Sequence, residues 1–147
     1  MLGLIMVVVP SLLASYVQAQ QAPITVQNAW IREAPPNVTT MVGYLTLHNN
    51  TSENYTLTSA KSDYFKGIEF HRTVIKDDMA SMHHHNTLAI PPFGSLVFKP
   101  GDYHLMLMGP RTGFKAGDEL MVTLCILNNN KQAEFDIVMP VKKSKVN

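Results

Sequence analysis

With 147 residues, the chain has the length of one domain and can bury a single core without help from a metal or a disulfide. Its 46% apolar and 16% charged residues exclude the disordered and collagen-like classes. Twelve Lys and Arg against eleven Asp and Glu give a net charge of +1, and the longest basic block is Lys142-Lys143-Ser144-Lys145, so neither nucleic acid nor an anionic membrane is indicated as a partner.

Residues 1–14 are uncharged and apolar, and polar residues follow from Ser15 to Gln21, which is the pattern of a secretory signal. Val17-Gln18-Ala19 places small or modest side chains at the −3 and −1 positions. Residues 1–19 are therefore expected to be a signal peptide, with residues 20–147 as a periplasmic domain that has no stable membrane insertion. A retained anchor is the competing reading; the run is shorter than the ~20 apolar residues a spanning helix needs, and Pro10 interrupts it.

From residue 24 the chain alternates short β-rich runs with turn residues, and no long 3.6-residue periodicity appears. Ile24–Ile31 is the first predicted strand, ended by Pro35-Pro36. Thr40–Leu47 follows, with Val42, Tyr44 and Thr46 on one face and Met41, Leu45 and Leu47 on the other. His48–Asn54 reads as a polar turn. Tyr55–Ala60, Gly67–Ile75, Asn86–Ile90, Ser95–Lys99, Tyr103–Met108, Glu119–Leu127 and Glu134–Val141 complete the series. About nine short strands in one domain predict two packed antiparallel sheets, an all-β sandwich. Cys125 is the one cysteine, so no disulfide forms within the chain, and its apolar run suits a small buried hydrophobe.

The chemistry lies in six His and nine Met. In Tyr103–Met108 a strand sets His104, Met106 and Met108 on one face, and an imidazole two residues from a thioether can reach the same ion. Taken alone, such a pair more often packs than binds. With His71 and Met82 added, the spacing becomes His-x10-Met-x21-His-x-Met, for which a chain of this composition gives only about 7 × 10⁻⁴ chance matches. Thioethers are soft neutral donors that favour Cu(I), whereas Zn(II), Mg(II) and Ca(II) prefer thiolate, imidazole or oxygen. Neutral ligands with no thiolate suit an ion that is to be released. Residues 76–86 are polar enough for an exposed hairpin or loop that carries Met82 to the site. His83, His84 and His85 read either as a solvated turn or as a second, weaker site for Cu(II) or Zn(II). Met79 and Met108 read as packing residues near the site.

That spacing resembles the signature of the PCu(A)C-type periplasmic copper chaperones. Ala29-Trp-Ile-Arg32 before a proline pair, Tyr44-Leu-Thr-Leu47 before Asn49, Ile68-Glu-Phe-His71 and Pro100-Gly-Asp-Tyr-His-Leu-Met-Leu-Met108 are similar to landmarks of that family. The likeness runs from about Ile24 to Val141. It implies a cupredoxin-like Greek-key β-sandwich, a Cu(I) site made by His71, Met82, His104 and Met106, and a part in cytochrome c oxidase assembly. The implied partner is an exported copper acceptor, such as the copper-centre subunit of a haem-copper oxidase or its thiol-containing assembly factor. Arg72 stands where many members carry Met, and no His- and Met-rich C-terminal extension is present.

Other functions fit less well. An electron-transfer cupredoxin needs a His2Cys site, and Cys125 has no His or Met within several residues. A copper oxygenase that uses an N-terminal His is also disfavoured, since the expected cleavage exposes Gln20. No nucleophile elbow or His-Glu-x-x-His is present, so a hydrolase is not expected. Copper storage or scavenging, and a sandwich interaction module without metal, remain as alternatives.

Overall fold

The computed structural model describes residues 21–143; the expected signal segment lies outside them. Ten strands make up the fold: β1 (Ile24–Arg32), β2 (Thr40–Asn49), β3 (Tyr55–Lys61), β4 (Phe65–Lys76), β5 (Met79–His85), β6 (Leu88–Ile90), β7 (Ser95–Phe98), β8 (Tyr103–Pro110), β9 (Glu119–Asn128) and β10 (Lys131–Lys142). No helix occurs among the described residues.

One layer has the order β5-β4-β8-β2-β1, with β7 also paired to β2; the other has the order β10-β9-β3-β6. The layers join where β1 runs parallel to β10 through Ile31↔Val141 and Arg32↔Lys142, while the remaining pairs are antiparallel. The expectation of an all-β, cupredoxin-like sandwich holds. Two details differ from the expected set of about nine strands in two antiparallel sheets. Residues 79–85 form a tenth strand, because each residue of the hairpin arm pairs with β4, and one parallel pair closes the sheet edges.

Strand alternation explains the core. Ile31, Leu45, Leu47, Leu105 and Leu107 of the first layer meet Leu57, Ile90, Val122, Leu124 and Met139 of the second, all at 2% exposure or less. Each such side chain contributes about 1.5–3 kcal/mol by leaving water. At Gly43, where β2 crosses this interior, a Cβ would lie 3.3 Å from both Leu105 and Met139, so these neighbours would have to give by a few tenths of an ångström. Cys125 is buried as expected, and its thiol donates to Glu134. Hydrogen bonds from Lys61 and then from Cys125 hold the Glu134 carboxyl below its ordinary range.

The His48–Asn54 turn starts later than expected, because β2 continues through Asn49. His48 lies in the strand and its Nδ1 is 2.8 Å from the Ser95 hydroxyl. Asn49 is fully buried and acts as the organiser of the turn. Its Nδ2 donates to the carbonyls of Glu53 and Ile90, and its Oδ1 accepts from the Thr51 amide and hydroxyl. Replacing Asn49 with Ala strands these buried partners, so urea unfolding should show a loss of about 1–3 kcal/mol. A loss smaller than about 0.5 kcal/mol would contradict this role.

Candidate metal centre

Three neighbouring strands build the site. In β4, alternation sends Phe70 and Ile68 inward and leaves Glu69, His71 and Thr73 on the outer face. In β8, Leu105 and Leu107 enter the core, so His104, Met106 and Met108 face outward. The β4–β8 register sets His71 opposite His104 and Glu69 opposite Met106. On the other side of β4, β5 sets His84 opposite His71 and Met82 opposite Thr73. Side chains directly opposite one another share a face, so all these residues line one outer surface.

Two turns fix this alignment. The β4–β5 hairpin turns at Asp77-Asp78, both with positive φ (51° and 60°), the backbone that a two-residue hairpin with right-handed strand twist requires and that Asp tolerates. Before β8, the Pro100-Gly101 turn, with Gly101 at φ 79°, presents the Asp102 carbonyl to β4, where it accepts from the Thr73 amide at 3.2 Å. The Asp102 carboxylate hydrogen-bonds Arg72 and pushes that guanidinium further up from its already high value.

The two imidazoles are held in specific tautomers. His104 is 4% exposed, and its Nδ1 lies 3.0 Å from the Asp102 carbonyl. A carbonyl only accepts, so the proton is on Nδ1 and the lone pair on Nε2. The Nε2 of His71 is 2.8 Å from the Glu69 carboxylate, which only accepts, so Nε2 carries a proton and in the neutral ring the lone pair is on Nδ1. These lone pairs are the atoms left without partners. Among the described residues, three buried side-chain polar atoms lack a hydrogen bond: His71 Nδ1, His104 Nε2 and Arg32 Nε. Two of the three therefore belong to adjacent rings, with centroids 5.9 Å apart. Outer partners that fix the tautomer and leave the other nitrogen bare are the usual support of a metal-binding imidazole.

His71, His104 and Met106 are thus brought together on β4 and β8. Met82 shares their face but stands at the level of Thr73, on the side of His71 away from Met106, and is 61% exposed on the edge strand. Met108 is opposite Gly67, where a Cβ would meet its methyl at 3.2 Å, so it packs in that space. Met79 pairs with Lys76 on the reverse face.

The strand divides the histidine run between its two faces. Alternation along β5 puts His84 on the outer face and turns His83 and His85 to the other, where His85 stacks edge-on with Tyr103 at 5.3 Å. Among the described residues, no three His, Cys, Asp or Glu side chains converge as a metal site. Glu69 was not singled out in the sequence, and His84 only as one of the His83–His85 run. Their i, i+2 and cross-strand relations to His71 become visible only once the register is known. The site lies on the outer face of the strands, beside the Pro100-Gly101 turn and on the arm of the β4–β5 hairpin. A surface cleft of about 980 Å³, lined in part by Glu33–Thr39 and Thr112–Lys115, is elsewhere and contains no His.

A buried nitrogen kept bare costs stability, typically about 1–3 kcal/mol. His104→Leu removes that cost along with one hydrogen bond and should leave the metal-free protein within about 1 kcal/mol of the parent in urea unfolding. A loss above about 2 kcal/mol would show that His104 is there for structure.

A family model described as "Putative lipoprotein LpqE-like" matches residues 24–141. Putative lipoprotein Lxx21020 of Leifsonia xyli subsp. xyli is 28% identical over 120 residues, 81% of this chain and 69% of that protein. The uncharacterized protein RP573 of Rickettsia prowazekii is 32% identical over 90 residues, 60% of this chain, and the match spans half of its length. Among solved structures, CuI-DR1885 from Deinococcus radiodurans is 28% identical with a TM-score of 0.68, covering 90% of this chain and 87% of that one. The copper-bound PCuAC domain from PmoF2, at 20% identity, has a TM-score of 0.69 over 86% of this chain and 97% of its own, a likeness of fold. The chain belongs to the LpqE-like family of putative lipoproteins, and the resemblance to PCu(A)C-type domains read from its sequence holds.

Proposed function

We propose that this protein is an exported copper chaperone: it carries one Cu(I) ion on His71, Met82, His104 and Met106 and passes it to an acceptor outside the cytoplasm. The observation that carries this reading is the pair of bare, buried nitrogens on the adjacent imidazoles of β4 and β8, with Met106 two residues from one of them. Two nitrogens and a soft sulfur suit Cu(I), which accepts low coordination numbers and thioether ligands. Met82, exposed on the edge strand, is the fourth donor and closes over the ion by swinging towards His71. The copper-bound relatives of the same fold support this reading.

The cargo leaves readily because its ligands are neutral. Cys thiolates add charge and softer sulfur, so a dithiol acceptor binds Cu(I) more tightly than two imidazoles and two thioethers do. An acceptor of that kind, the copper-centre subunit of a haem-copper oxidase or its thiol-containing assembly factor, is the partner inferred from the family. The secretory pattern of residues 1–19 and the lipoprotein description of the family support the exported location.

Met82→Leu with Met106→Leu conserves volume and removes both sulfurs. Competition against a chromogenic Cu(I) chelator should show the double variant at least about 100-fold weaker than the parent with its thermal stability nearly unchanged; unchanged affinity would sink the assignment. Copper-loaded protein mixed with a reduced, metal-free dithiol acceptor should transfer its ion nearly stoichiometrically, even beside a bulky Cu(I) chelator in excess. Copper that stays on this protein, or reaches the acceptor only through free solution, would favour storage or scavenging.

A further inference from the structure

His84 has no place in the four-residue set, yet its position mirrors that of His104. Both lie directly opposite His71, on the two strands that flank β4, with ring centroids 5.6 Å and 5.9 Å from the His71 ring. Each is accompanied by a thioether two residues away on the same face: Met82 beside His84, and Met106 beside His104. The two Met side chains occupy opposite diagonals, Met82 at the level of Thr73 and Met106 at the level of Glu69. The four donors are therefore related by an approximate two-fold axis through His71, perpendicular to the sheet.

The halves of this arrangement differ in exposure. His104 is 4% exposed, the His71 side chain 18% and Met82 61%, and His84 lies on the exposed edge strand. We propose that His84 is a metal ligand that forms, with Met82 and His71, an outer Cu(I) half-site at the sheet edge, through which the ion passes between solvent-side partners and the inner set on His104 and Met106, with His71 and Met82 serving both positions. This rests on the Cu(I) reading given above. Only Nδ1 of His71 is free, since Nε2 is tied to Glu69, so the two halves share one pivot nitrogen and are occupied one at a time. Capacity stays at one ion per chain. Two imidazoles and a thioether suit the monovalent soft ion, and the divalent oxygen-seeking ions find no converging carboxylates here. Because β5 is the outermost strand of its layer, an acceptor reaches the outer half-site without disturbing the core.

The test uses the full chain loaded with Cu(I) and a reduced Cys-x-x-Cys peptide as acceptor. His84→Ala, at an exposed position that leaves folding intact, should slow transfer by about tenfold while changing equilibrium Cu(I) affinity by less than about threefold. His83→Ala, on the reverse face of the same strand, should change neither. In a second arm, His104→Gln with Met106→Leu disables the inner set. That variant should still bind one Cu(I), more weakly, and adding His84→Ala should weaken it by a further factor of about ten. Transfer at the parent rate by His84→Ala, or no added effect of His84→Ala on the inner-set variant, overturns the outer half-site and leaves the four-residue reading standing. A parent chain that binds no Cu(I) overturns both.

Discussion

The site depends on one cross-strand pair. His71 and His104 face each other across β4 and β8, and each spends one ring nitrogen on a fixed acceptor. Glu69 and the Asp102 carbonyl decide which nitrogen keeps its proton, and the bare nitrogens that result are buried on neighbouring rings. Without those partners the rings could flip or hydrogen-bond elsewhere, and the preorganisation would be lost. Stability is given up for this, since buried polar atoms are otherwise nearly always paired.

The rest of the fold serves to keep that pair in register. A slip of one residue between β4 and β8 would turn His104 into the core and expose Leu105, so the apolar interior enforces the alignment of the imidazoles. The fully buried Leu105 and Leu107 thus act on the site from the other side of the same strand. The positive-φ Asp77-Asp78 turn does the equivalent work for β5, and the Pro100-Gly101 turn brings the Asp102 carbonyl to where β4 and His104 both use it. Exposure rises outward from His104 through His71 to Met82, so the strand that is least supported carries the donor side chain most accessible from solvent.

Much of this was legible in the sequence because strands have a period of two. Alternation in Thr40–Leu47 and Tyr103–Met108 assigned the core and outer faces, and His104-x-Met106 followed directly from it. Turn residues marked most strand ends to within one or two positions. Alternation along one strand says nothing about which residue stands across from it, however. Met82 stood out by spacing, while His84, two residues on, was read with its neighbours as a run, although β5 separates it from His83 and His85 by facing. Glu69 and Asn49 were missed for a related reason: their importance lies in partners fixed by pairing and burial, which a linear pattern does not carry.

Histidine-selective 15N NMR tests the central claim most directly. In the metal-free protein, the spectra should show the proton of His71 on Nε2 and that of His104 on Nδ1. On addition of one equivalent of Cu(I), His71 Nδ1 and His104 Nε2 should shift together while both protons stay in place. Shifts at the opposite nitrogens, or an unperturbed His71 and His104 pair in a chain that has bound copper, would contradict the account.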